Sequence, residues 1–210
     1  LYKKLNNTEL NTLNNLLEDF KIEQKTEKSE YVKLLKQYKF CMLNFQNENI
    51  PFTNYIDNTV KNKNSTKTVI TQIQSLNNSL PVHLESSIYC IINESNFFQL
   101  KILITGPKDT PYDSGCFLFD MYLPKSFPND PPKMTFLTTG YGQVRFNPNL
   151  YKKGKVCLSI LNTWSGSADE KWNPNLSTIE AVLISIQSFI LVENPYFNEP
   201  GYETDINNSR

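Results

Sequence analysis

Residues 144–164 read VRFNPNLYKKGKVCLSILNTW. The stretch repeats neither at the period of two of a strand nor at the 3.6 of a helix. It lies inside one aperiodic segment from Tyr141 to Pro174, whose apolar runs, such as Val156 to Leu161, are short. A long irregular segment in a compact domain is usually either functional or disordered. Phe146, Tyr151, Trp164 and Trp172 give this one the apolar content of an ordered segment. Loops on a rigid scaffold hold a large share of catalytic and binding residues, so chemistry is expected here. The segment has a single thiol, Cys157. A cysteine is most often a small buried hydrophobe. Its setting alone singles Cys157 out, and an inert core thiol is an equal alternative.

Outward from this segment the sequence becomes periodic. Upstream, Ile88–Ile92, Phe98–Ile104, the alternating Phe117, Phe119, Met121 and Leu123, and Met134 with Phe136 read as four strands. Gly106-Pro107 and Pro131-Pro132 punctuate them. Short strands with brief loops predict an antiparallel meander. Before them, Val69, Ile70, Ile73 and Leu76 form one helical stripe, capped by Ser65 or Thr66 and ended by Pro81. Downstream, Ile179, Val182, Leu183, Ile186 and Ile190 restore helical spacing until Pro195. The amino-terminal part is polar. Leu10, Leu13, Leu16, Leu17 and Phe20 predict a helix after Thr8, Glu23–Glu30 a linker, and Leu34, Leu35 and Tyr38 a short helix within 31–40. Asn44–Asn64, with Pro51, reads as a loose connection.

Composition narrows the function classes. Lysine plus arginine and aspartate plus glutamate are each 21, so the formal net charge is zero. No basic stripe suggests a nucleic-acid partner. Hydrophobic residues at 39% and aromatics at 12% suffice for a packed core. No apolar run reaches the roughly 18 residues of a membrane span, since Ser185, Gln187 and Ser188 interrupt Ala181–Val192. No secretory signal is visible. The chain opens on Leu1, so a longer parent protein is allowed for. Cysteines 41, 90, 116 and 157 lack zinc-site spacing, and the only histidine is His83. Neither a metal site nor a disulfide framework is expected, and a reducing compartment fits. Cys41, Cys90 and Cys116 read as core thiols and His83 as a surface loop residue. A protease-like Cys–His pair finds little support.

Residues 99–203 resemble the catalytic core of ubiquitin-conjugating enzymes, most of all the large hybrid conjugating enzyme/ligase class of the Apollon (BRUCE) type. The stretches that carry the resemblance are LITGPKDTPYDSGCFLFDMYLP, VRFNPNLYKKGKVCLSILNTW, EKWNP and ENPYFNEPGYE. The family's His-Pro-Asn motif stands here as Asn147-Pro148-Asn149, with its eight-residue spacing from Asn149 to Cys157 kept. The resemblance implies an α+β ubiquitin-conjugating fold, a four-stranded antiparallel sheet packed with helices. Cys157 would sit in a shallow groove beside the Asn149 loop. It divides the chain into an upstream helical and linker region (1–60), a catalytic core (65–204) and a tail (205–210).

It implies that Cys157 accepts ubiquitin as a thioester from an activating enzyme and passes it to a substrate lysine. Asn149 would stabilise the oxyanion of that transfer, or hold the loop that does so. Its alternative role is a turn residue after Pro148. Many relatives carry Asp two residues after the cysteine, where this chain has Ser159. Asp169, Glu170, Glu193 and Glu199 are the substitute carboxylates. The piece around Asn162–Glu170 exceeds the shortest members and reads as a surface loop. The ligase-facing loops match Phe127–Pro132 and Asn173–Asn175, so Phe127, Pro128 and Pro174 are candidate partner contacts, with Asn129 at a usually hydrophobic position. Expected partners are ubiquitin, the activating enzyme, protein substrates and a ligase or ligase module in the same chain. No nucleic acid, membrane, cofactor or metal is expected. The expected location is the cytoplasm, with the nucleus also open. The alternatives are a non-catalytic ubiquitin-binding variant and a carrier of a ubiquitin-like modifier.

Overall fold

The computed structural model describes residues 7–45 and 63–199. Its elements in order are α1 (Asn7–Leu35), β1 (Phe40–Leu43), α2 (Lys63–Ser79), β2 (Val82–His83), β3 (Ser86–Asn93), β4 (Gln99–Thr105), β5 (Cys116–Tyr122), β6 (Lys133–Phe136) and α3 (Ile179–Ser185). The order across the sheet is β1-β3-β4-β5-β6, with β2 paired to β3. The pairs β3–β4, β4–β5 and β5–β6 are antiparallel, which is the expected meander.

Register explains the core. Ile88, Cys90 and Ile92 lie opposite Ile104, Ile102 and Leu100. Phe117, Phe119 and Met121 continue those rows, and Phe136 and Met134 close them. Side chains two apart share a sheet face, and every one of these is buried. Val69, Ile73 and Leu76 of α2 join the same cluster, as do Ile179, Val182 and Leu183 of α3. Each such burial contributes about 1.5–3 kcal/mol. The Gln72 side chain ties α2 to α3 by accepting the Ile179 N–H at 2.9 Å. Ile70, expected in the α2 stripe, is 42% exposed. One residue further on, the helix has turned about 100° away from Val69.

The structure departs from expectation in three places. First, β1 adds a parallel strand beside β3, pairing Phe40 with Cys90 and Leu43 with Asn93, so the sheet is mixed. Second, Glu23–Glu30 is not a linker but the middle of α1. Its Glu, Gln and Lys residues are good helix formers. Lys28 pairs with Glu85, and the Tyr31 hydroxyl bonds to those of Ser87 and Tyr89 at 3.2 and 3.1 Å. Polar contacts, not an apolar stripe, therefore tie this part of α1 to the sheet. Of the series from Leu10 to Phe20, only the Leu17 side chain is among those described, and it is about half exposed. Third, α2 starts at Lys63, so neither Ser65 nor Thr66 is its cap. Most of the 44–64 connection and all of the 205–210 tail lie outside the described residues.

The last helix is compound. Thr178 caps α3 by accepting the Ala181 N–H at 3.0 Å, and a π-turn over Ile186–Ile190 follows. Among the described residues no helix is long and apolar enough to cross a membrane. No cluster of three or more His, Cys, Asp or Glu residues among them could hold a metal.

Candidate active site

The segment 144–164 folds back on itself around one glycine. Gly154 has φ +87°, and a Cβ there would stand 2.8 Å from the Phe136 carbonyl oxygen. Any other residue would be both strained and crowded. Its N–H donates to Tyr151 O at 2.8 Å, and the Tyr151 N–H donates to Lys155 O at 3.0 Å. This turn sends Val156 and Cys157 back alongside Asn149 and Leu150, with Leu150 bridged to Val156. Leu150 and Val156 are buried and anchor the hairpin in the core.

Asn149 then holds the Cys157 main chain twice. The Cys157 N–H donates to Asn149 O at 2.9 Å, and Asn149 Nδ2 donates to Cys157 O at 2.9 Å. The other amide atom, Asn149 Oδ1, is buried without a partner. A buried unpaired acceptor costs about 1–3 kcal/mol, and unsatisfied groups of this kind ask for an explanation at functional sites. The Asn149 amide donor is directed at the Cys157 backbone.

Asn147 supports Asn149 in turn. Its Oδ1 accepts the Asn149 N–H at 2.8 Å. Its Nδ2 donates to Ile190 O at 2.8 Å and to the Tyr112 hydroxyl at 3.0 Å. The Tyr112 hydroxyl donates to Phe146 O at 2.8 Å. Burial raises the Tyr112 phenol above its ordinary pKa, which keeps it a neutral donor. Sequence reading missed Tyr112. The signal lay in the TPYDSG part of the quoted stretch, but nothing local shows a hydroxyl reaching across 34 residues.

Cys157 is fully buried and not in an open groove, with Asn149 bonded to its main chain and Thr163, from the loop that follows, bonded to the main chain of Val156 and Leu158. Ser159 stands two residues on and is partly exposed. Of the four candidate carboxylates, Glu199 is paired with Arg145 at 3.1 Å and Glu170 accepts the Ser167 N–H at 3.1 Å. Asp169 and Glu193 are exposed. Arg145 also donates to Pro148 O at 2.7 Å and lies over the Tyr151 ring.

The expected partner-facing residues separate. Phe127 is no surface contact. It is completely buried, its ring 5.6 Å from that of Trp172, because an aromatic ring there fills the core. Pro128 is partly exposed and Pro174 exposed. Trp172 Nε1 donates to Pro128 O at 2.6 Å, which joins the two loops. Cys116 is exposed on β5, against the core reading, because its side chain leaves the sheet on the outer face. Cys41 is half-buried and Cys90 buried. His83 is exposed, in a two-residue strand instead of a loop.

The family model described as "Ubiquitin-conjugating enzyme" matches residues 72–209. A probable ubiquitin-conjugating enzyme of Acanthamoeba polyphaga mimivirus is 48% identical over 177 residues, which is 80% of this chain and 12% of that protein. The human dual E2 ubiquitin-conjugating enzyme/E3 ubiquitin-protein ligase BIRC6 is 57% identical over 129 residues, 61% of this chain and 3% of that protein. Among solved structures, human ubiquitin-conjugating enzyme E2 G1 has a TM-score of 0.49 and 32% identity, covering 61% of this chain and 94% of that one. The chain thus spans a small fraction of the curated relatives it matches. The α+β domain around a main-chain-clamped cysteine belongs to the ubiquitin-conjugating enzyme family.

Proposed function

We propose that Cys157 carries ubiquitin as a thioester. Its thiolate attacks the ubiquitin carboxyl carbon on an activating enzyme, and that enzyme's thiolate leaves. The exchange of one thioester for another is close to balanced. A substrate lysine then attacks, the Cys157 thiolate leaves, an isopeptide bond forms, and the amine's proton passes to a base. The observation that carries this reading is the pair of hydrogen bonds by which Asn149 fixes Cys157 on both sides. Fixing the reacting atom lowers the entropic part of the barrier. Because Cys157 is fully buried, the attack requires its cover to open on meeting the activating enzyme.

Ser159 stands where a carboxylate would be near the thiol, so the lysine's proton goes to solvent or to another carboxylate such as that of the exposed Asp169. The similarity to a dual conjugating enzyme and ligase supports a hybrid setting, with a ligase module in the same chain and a reducing cytoplasm as its compartment. Pro128 and Pro174 remain the proposed ligase contacts. A charging reaction with activating enzyme, ubiquitin and ATP tests the core of this. A thiol-labile band one ubiquitin heavier is expected on a non-reducing gel. Cys157→Ala loses it, and Cys157→Ser replaces it with a thiol-resistant ester. Absence of the band from folded wild type beside a working control enzyme refutes the reading.

A further inference from the structure

Asn149 is not the only side chain that grips the nucleophile's backbone. The loop after Cys157 turns at Asn162, whose φ of 55° is left-handed, and this brings Thr163 back against Val156 and Leu158. Thr163 Oγ1 donates to Val156 O at 2.8 Å, with Leu158 O a longer alternative at 3.3 Å. The same oxygen accepts the Leu158 N–H at 3.0 Å. One hydroxyl thus bridges the residues immediately before and after Cys157. The loop it belongs to is itself held. Ser159 Oγ donates to Ser165 O at 3.3 Å and the Trp172 N–H to Asn162 Oδ1 at 3.4 Å.

We propose that Thr163 is a positioning residue for the Cys157 nucleophile, a second hold on that turn beside the one Asn149 provides. The inference rests on Cys157 being the ubiquitin carrier. Asn149 fixes the peptide groups of Cys157 itself, and Thr163 fixes those of its neighbours, so rotation of the whole turn is restrained. A displacement of about 1 Å at a reacting atom can cost on the order of a hundredfold in rate, so a smaller shift on losing this hydroxyl is expected to cost less than that. The loop around Asn162–Glu170 is therefore part of the site through this one residue.

The test uses the whole chain and single-turnover discharge of the Cys157 thioester to free lysine at several lysine concentrations. Thr163→Val keeps the shape and removes the hydroxyl, and its maximal discharge rate should fall on the order of tenfold with the half-saturating lysine concentration unchanged. Thr163→Ser keeps the hydroxyl and should stay within about twofold of wild type. Thr163→Ala, which cannot overfill the site, gives the same loss where the valine variant does not fold. Folded valine or alanine variants discharging at the wild-type rate overturn the proposal. A serine variant as slow as alanine does the same. Failure of wild type to charge refutes the carrier reading instead, and is distinguishable because no thioester forms to be discharged.

Discussion

Asn147 makes three side-chain bonds: two donated, to Ile190 O and the Tyr112 hydroxyl, and one accepted from the Asn149 N–H. An imidazole has two nitrogens and cannot reproduce all of these. Asn147→His, although it restores the family's usual residue, should destabilise the domain by about 1–3 kcal/mol through an unpaired buried group, read from urea unfolding. Asn149 behaves differently. Removing its side chain deletes the bond to Cys157 O but also removes the unpaired Oδ1. Asn149→Ala should therefore leave stability within about 1 kcal/mol of wild type while slowing thioester discharge by about a hundredfold or more. Melting curves and discharge time courses on the same sample separate the two. The pairing of Asn149 with Cys157 was legible in the sequence only through the family motif and its spacing, and the structure shows the short hairpin that this spacing builds. The roles of Tyr112 and Thr163 were not. A hydroxyl's partner depends on where the backbone travels, and Thr163 stood in what read as a surface loop.

The sheet shows the same division at the scale of elements. The four antiparallel strands were legible because alternation marks one buried face. Strand β1 was not, since FCML is a four-residue apolar run with no polar alternation, only partly buried, and its register comes from β3, far along the chain. The middle of α1 was missed for a related reason, that its hold on the sheet is polar. That hold makes two predictions. Tyr31→Phe loses its bonds to Ser87 and Tyr89 and should cost about 1–2 kcal/mol in chemical denaturation. Burial, and then the Tyr31 hydroxyl, push the Tyr89 phenol from its ordinary 10.0 up to about 12. The fold thus holds the neutral phenol, while the unfolded chain releases its proton earlier. This stabilisation is complete below pH 10 and is lost as the pH rises from 10 towards 12. Thermal melts across that range should fall steeply for wild type and less so for Tyr89→Phe.

The molecule as a whole completes one edge of its sheet with a piece from the amino-terminal part of the described chain. Residues from the upstream region give β3 its outer neighbour, where the Cys90 N–H donates to Lys39 O and the Glu94 N–H to Leu43 O. A chain beginning at residue 63 would uncover β3 and the apolar outer face carrying Tyr89, Ile91 and Leu103, on which Tyr31, Leu35 and Leu43 border a common cleft. Exposed strand edges and apolar patches favour association. Such a truncation should still charge at Cys157, yet melt lower and elute as larger species on size exclusion. The burial of Cys157 has a consequence in oxidation chemistry. Peroxide and alkylating reagents attack thiols they can reach as thiolates. Cys116 lies open on the sheet, Cys41 is half-covered, and Cys157 and Cys90 are shielded, with burial raising the Cys90 thiol above its ordinary range. An oxidant pulse on the resting domain should therefore mark Cys116 first and leave Cys157 reduced, which mass spectrometry of the labelled thiols would read.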